Sequence, residues 1–232
     1  MKRVCGIVGG MGPMATADLF MKIINGTKAQ SDQNHMRVLI DSNTRIPDRT
    51  AAILHGGASP VPELVRSAKT LEAAGADFLV MPCNTAHYFY DAVRASVSVP
   101  LLNMLEETAT YAASQGVKTA ALLATNGTRR AKLYGAPFQR AGVRLLEPSE
   151  KGQEAVMAVI YDGVKAGRAA FDVSALGKEL DSLQEQGAER FLLACTELPL
   201  AFDRYGLNYP AIDPTSILAR AAVLFGGYEW AE

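Results

Sequence analysis

An α/β fold made of two pseudo-symmetric, doubly wound parallel-sheet domains is what three features of the sequence predict. Strand-sized apolar runs alternate with helix-period segments, Gly or Pro punctuates the turns between them, and the pattern restarts near the middle of the chain. The site is expected beyond the carboxyl ends of the strands, where open parallel sheets bind ligands.

Residues 3–8 read as the first strand, leading into Gly9-Gly10-Met11-Gly12-Pro13 and a helix from about Met14 to Gly26. Glycines there allow a tight turn, and Pro suits a helix start, where its missing N–H costs nothing. Cys5, inside the apolar strand, is read as inert core. Residues 36–40 form a second strand, followed by a long polar loop over 41–50. In that loop Arg49 would either clamp a carboxylate or simply pair Asp48 or Asp41. A helix over 62–74 carries Leu64, Val65, Ala68 and Leu71 on one face and stops at Gly75. The next strand ends at Cys83, a helix runs from Thr85 to about Ser96, and 99–103 is a short strand.

The second half repeats this order. A helix over 106–115 precedes a strand over 118–123, whose turn is Ala124-Thr125-Asn126-Gly127-Thr128. A strand over 142–146 and helices over 153–167 and 173–186 follow. A strand then ends at Cys195, and a segment from Tyr209 to Thr215 precedes the final helix from Ser216. Equivalent points are separated by 115 residues for the glycine turns, 112 for the cysteines and 110 for Pro100 and Pro210. So long and constant a period indicates a duplicated domain rather than a solenoid. The expected domains are 1–103 plus 214–232, and 104–213.

Composition narrows the function by exclusion. The 232 residues are 49% hydrophobic and 20% charged, enough for a packed core, and the net charge of −1 offers no basic patch to nucleic acid or anionic lipid. No apolar run is long enough for a membrane span and the start lacks a signal-peptide core, so a cytoplasmic protein is expected. Three widely spaced cysteines make neither a disulfide framework nor a zinc site.

Two of those thiols sit at matched places, in Met81-Pro82-Cys83-Asn84-Thr85-Ala86-His87 and in Ala194-Cys195-Thr196-Glu197-Leu198-Pro199. If the halves face each other, the thiols approach one point from opposite sides. That suits a reaction needing a base on one face of a carbon and an acid on the other, and racemisation is the simplest. An ordinary thiol pKa of about 8.5 can be lowered by a helix N-terminus, giving one thiolate and one thiol. Asn84, Thr85 and Thr196, with backbone N–H groups, would bind carboxylate oxygens and stabilise an enolate-like transition state. His87 and Glu197 would either tune the thiols or serve only their helices. No cofactor is needed.

These motifs, together with Val8-Gly9-Gly10-Met11-Gly12-Pro13, Ile46-Pro47-Asp48-Arg49-Thr50 and Leu123-Ala124-Thr125-Asn126-Gly127-Thr128, resemble the PLP-independent aspartate/glutamate racemase family from Lys2 to the last helix. The resemblance implies an active site between two α/β domains, a homodimer, and cofactor-free inversion at Cα through Cys83 and Cys195. It further implies that Arg49 and Lys165 recognise the substrate's carboxylates and that Met11, Asn84, Thr85, Thr125, Asn126 and Thr196 contribute to binding. Gly9-Gly10-Met11 and Glu197 depart from the pattern of glutamate racemases proper, which favours the aspartate-type branch.

Three other readings compete. Gly10-Met11-Gly12-Pro13-Met14-Ala15 fits a dinucleotide fingerprint, but Pro13 removes an N–H from the phosphate cradle and Asp41 lies too far along. A non-catalytic dicarboxylate-binding protein would close its cleft without turnover. An isomerase or lyase would use one nucleophilic cysteine.

Overall fold

Cys5–Gly9 (β1) is buried along its whole length, as the centre of a parallel sheet requires. Val38–Ser42 (β2) and Phe78–Val80 (β3) flank it in the order β2-β1-β3, and both pairings are parallel. Strand alternation sorts the side chains onto two faces. Cys5 and Ile7 pack with Leu19 and Ile23 of helix Pro13–Gly26 (α1) and with Leu218, Ala222 and Val223 near the C-terminus, whereas Val8 packs with Leu64, Ala68 and Leu71 of helix Val61–Ala73 (α3). Between them, Asp48 caps the short helix Arg49–Leu54 (α2) by accepting from the Ala51 N–H at 2.7 Å.

This computed structural model describes residues 2–231. Its backbone separates into two units: one runs through Glu107 and resumes at Thr215, and the other is Thr108–Pro214. The divisions fall within helix Met104–Ser114 (α5) and at the start of the last helix. In the first unit the chain after β3 departs from the sequence expectation. The strand stops at Val80, three residues before Cys83, because Pro82 has no N–H for a ladder and the Cys83 N–H turns back to Met81 O at 2.8 Å. A continuous helix was expected over 85–96; the chain instead forms a 3₁₀ segment, Thr85–Phe89, and the short helix Tyr90–Arg94 (α4). Residues 99–103 make only a bridge, Leu79 to Leu101, rather than a strand.

The second unit is a four-stranded parallel sheet, β5-β4-β6-β7, formed by Thr119–Ala124 (β4), Arg144–Leu146 (β5), Arg190–Ala194 (β6) and Ala211–Ile212 (β7). Here Phe191 and Leu193 pack against Val156, Val159 and Ile160, and against Leu176, Leu180 and Leu183 of helix Ser174–Glu185 (α9). Short helices Asn126–Arg130 (α6) and Gly135–Arg140 (α7) lie between β4 and β5. The helix expected over 153–167 starts earlier, at Glu150, where Ser149 caps Glu150–Ala158 (α8) by accepting from Gly152 N–H at 3.0 Å. It then widens into a π-helical segment, Val159–Lys165. Helix Glu197–Arg204 (α10) follows β6 almost at once, and Pro214–Phe225 (α11) carries the chain back into the first unit. Among the described residues no helix is long and apolar enough to cross a membrane, and no group of three or more His, Cys, Asp or Glu side chains is placed to hold a metal.

Candidate active site

In the first unit the β1 turn is tied down by Thr16, whose hydroxyl accepts from Gly10 N–H at 2.8 Å and donates to Gly12 O at 2.9 Å. Gly10 is obligatory: its φ is +88°, and a Cβ there would collide with the Asn43 backbone. The turn presents the Met11 carbonyl to Arg49 Nη2 at 3.2 Å, while Nη1 donates to Pro47 O at 3.0 Å and Ile46 O at 3.3 Å. Arg49 is therefore no surface partner of Asp48 or Asp41. Its guanidinium is fixed by backbone carbonyls, and Nε–H is left buried without a partner.

Cys83 joins Met11, Val8, Ile46 and Met81 in one buried apolar cluster, and the Met11 carbonyl in turn accepts from Arg49. Asn84 and Thr85, next in the chain, are buried too. His87 does not reach the sulfur. Its Nε2 accepts from the Met104 backbone N–H at 3.1 Å, which fixes the proton on Nδ1, and Nδ1–H donates to Cys83 O at 2.9 Å. Burial lowers its pKa to about 4, and the bond to the Cys83 carbonyl only partly opposes this. At neutral pH His87 is an uncharged brace for the cysteine turn.

The second unit surrounds its cysteine with charge. Cys195 directly follows β6, and the pairing of Ala124 with Ala194 sets Thr125 beside it at the end of the neighbouring strand. The Cys195 thiol donates to Glu197 Oε2 at 2.9 Å, and the Thr196 hydroxyl donates to the same oxygen at 3.3 Å. Glu197 Oε1 faces Lys165 Nζ at 3.7 Å, and the ammonium also lies 4.8 Å from the Tyr161 ring centre. The thiol pKa is raised well above its ordinary value, first by burial, then by the charge of Glu197 and by the hydrogen bond to it; the Glu197 backbone N–H and Lys165 oppose the shift.

Thr125 caps α6 by accepting from Thr128 N–H at 3.3 Å. Asn126 is oriented by Gln153, a residue with no prior sequence signal. The Ala124 carbonyl can only accept, so the Gln153 amide must turn its nitrogen there (2.9 Å), and the same nitrogen then meets Asn126 Oδ1 (2.9 Å). Asn126, Gln153, Met157 and Tyr161 line a cavity of about 350 Å³ next to this network. Tyr134, also unforeseen, is fully buried; burial keeps its phenol neutral, and it lies within electrostatic reach of Cys195 and Asp213. Cys5 is fully buried, and burial alone pushes its thiol up, which suits its reading as core.

The Asp/Glu/Hydantoin racemase family model matches residues 8–222. Among curated proteins, the broad specificity amino-acid racemase RacX of Bacillus subtilis is 29% identical, over 94% of this chain and 96% of its own length. The Picrophilus torridus aspartate racemase structure is 30% identical and aligns with a TM-score of 0.85, over 99% of this chain and 96% of that one. A glutamate racemase from Francisella tularensis, solved with D-glutamate, shares the fold at 17% identity, with a TM-score of 0.67 over 97% of this chain and 82% of its own.

Proposed function

Since this chain belongs to the Asp/Glu/Hydantoin racemase family, and with it to the PLP-independent amino-acid racemases, we propose that it inverts an acidic amino acid at Cα by two-base proton transfer between Cys83 and Cys195. The observation that carries this reading is the pair of buried thiols, each beyond the carboxyl end of a strand in its own parallel sheet. The mechanism requires that the two sulfurs flank one carbon.

In the proposed step the thiolate of one cysteine takes the α-proton, and the electron pair of the C–H bond passes into the carboxylate as an enolate-like species. The thiol of the other cysteine delivers its proton to the opposite face of the carbon. One S–H bond forms as the other breaks, so the enzyme ends each turnover with its proton on the other sulfur. Arg49 and Lys165 would hold the two carboxylates, and that charge neutralisation lowers the cost of the enolate. Arg49 suits the role because carbonyls already fix it, so little side-chain entropy is lost on binding. Met11, Asn84, Thr85, Thr125, Asn126 and Thr196 would supply the remaining polar and shape contacts.

The similarity to a broad specificity racemase favours a second reading, in which the same chemistry acts on amino acids beyond aspartate and glutamate. One experiment addresses both: each enantiomer of aspartate, glutamate and a panel of neutral and basic amino acids is incubated in heavy water without added PLP. Proton NMR then follows α-deuteration, and chiral chromatography follows inversion. Exchange with inversion is expected for the acidic pair, and its absence for every amino acid sinks the proposal. We also assign the enzyme to the cytoplasm as a homodimer; a monomeric mass in sedimentation equilibrium would overturn that assembly.

A further inference from the structure

We propose that Glu197 is the proton partner of Cys195: it keeps the second thiol loaded as the acid of the free enzyme, which leaves Cys83 as the first base. The inference deepens the two-thiol reading above and rests on it.

Cys195 and Glu197 are 6% and 8% exposed, and their contact is a direct S–H to carboxylate hydrogen bond of 2.9 Å. Both carboxylate oxygens are engaged, Oε2 by the thiol and the Thr196 hydroxyl and Oε1 by Lys165. Ionising Cys195 would replace that donor with a second anion against the same oxygen, in a largely buried place. Of the charged groups that act on it, Glu197 of α10 opposes ionisation and Lys165 of the π-helical segment favours it, while the neutral Tyr134 that follows α6 lies within reach of Cys195 and of Asp213 beyond β7.

Nothing comparable reaches the other sulfur. Among the described residues no hydrogen bond is made to Cys83 Sγ, and His87 is committed to the backbone on both ring nitrogens. A two-base racemase needs one thiolate and one thiol. With the proton retained on Cys195, the thiolate is Cys83.

Delivery of the Cys195 proton to Cα leaves its thiolate beside the Glu197 carboxylate, offset in part by the Glu197 backbone N–H and by Lys165. The enzyme form left by one direction of turnover is therefore less stable than the form left by the other. Enantiomers are equally stable in water, so kcat/KM must be equal in the two directions, and the asymmetry has to fall on kcat and KM separately. Glu197→Gln should change the ratio of the two kcat values while kcat/KM stays matched.

The direct test is to titrate thiolate ultraviolet absorbance in folded variants that keep one of the two site cysteines, with Cys5 contributing nothing because it is buried in the core. Cys83→Ser, which retains Cys195, should show no thiolate at neutral pH, and adding Glu197→Gln to it should bring the thiolate step down by a pK unit or more, about tenfold more thiolate at a given pH. A neutral-pH thiolate in Cys83→Ser alone overturns the proposal, with no need for the Glu197 variant to fold. An unmoved titration in the Glu197→Gln background also overturns it. Neither readout depends on turnover: if α-deuteration fails while the titrations behave as stated, the racemase reading falls and the Cys195–Glu197 pairing stands.

Discussion

The two cysteine turns start from the same plan and end in opposite electrostatic settings. In the first unit the chain leaves β3 early, loops through Pro82 and enters a 3₁₀ segment, and an uncharged His87 braces the backbone of the turn. In the second, Cys195 leaves β6 directly, and the side chain itself is bonded, to a carboxylate that also faces a lysine. A duplicated fold can thus hold its backbone positions while the side chains around each copy diverge. In the proposed two-thiol reaction, which needs one acid and one base at a time, such divergence would decide which sulfur starts as which.

The comparison breaks most visibly at the sulfurs. Cys83→Ser and Cys195→Ser should each lower racemisation by about a hundred- to ten-thousandfold, the usual worth of a positioned acid or base, as read by polarimetry. If one substitution is nearly silent, the chain uses a single cysteine and the symmetric part of the account is wrong.

The brace in the first unit should show in stability against pH. An exposed imidazole titrates near 6.5, and in the fold His87 is held to about 4. Between those values the unfolded chain binds a proton that the folded chain does not. The associated stability is therefore fully present above pH 6.5 and is lost as the pH falls through the folded value, by about 3 kcal/mol. Urea denaturation should show this loss in the wild type and a flatter profile in His87→Gln. Equal profiles would mean that His87 is not held neutral.

The two cations provide a finer contrast. Arg49 is fixed by three carbonyls, whereas Lys165 rests on one carboxylate at 3.7 Å. Arg49→Lys should raise KM for aspartate by about ten- to a hundredfold, since a point charge cannot reproduce the fork. Lys165→Arg should be better tolerated, and the reverse order of effects would exchange their assigned roles. Smallest of all are the helix caps ahead of each cation. Asp48→Ala and Ser149→Ala should each cost about 1 kcal/mol by thermal unfolding, with little change in kcat.

Much of this was readable because it is periodic. The continuous apolar runs of β1, β4 and β6 and the repeated order of elements need no tertiary information, and they indicate the fold class. What the sequence hid depends on contacts between distant residues. That His87 spends both nitrogens on backbone follows from where Met104 arrives, and Gln153 orients Asn126 only because the Ala124 carbonyl ends at that point. Lys165 looks like an ordinary surface lysine until the π-helical segment and α10 bring it to Glu197. Strand lengths were misjudged where proline intervenes: Pro82 shortens β3, and 99–103, which contains Pro100, is only a bridge.

The central claim is that Cys83 and Cys195 work on opposite faces of one carbon. Its most direct test is to measure α-hydrogen exchange in heavy water for L- and D-aspartate separately with Cys83→Ser and with Cys195→Ser. Each variant keeps one of the two site thiols, so each should exchange the α-hydrogen of a single enantiomer without inverting it, Cys83→Ser only as the pH is raised far enough to ionise Cys195, and the two variants should choose opposite enantiomers. If both favour the same enantiomer, or either still racemises at the wild-type rate, the two-base account is wrong.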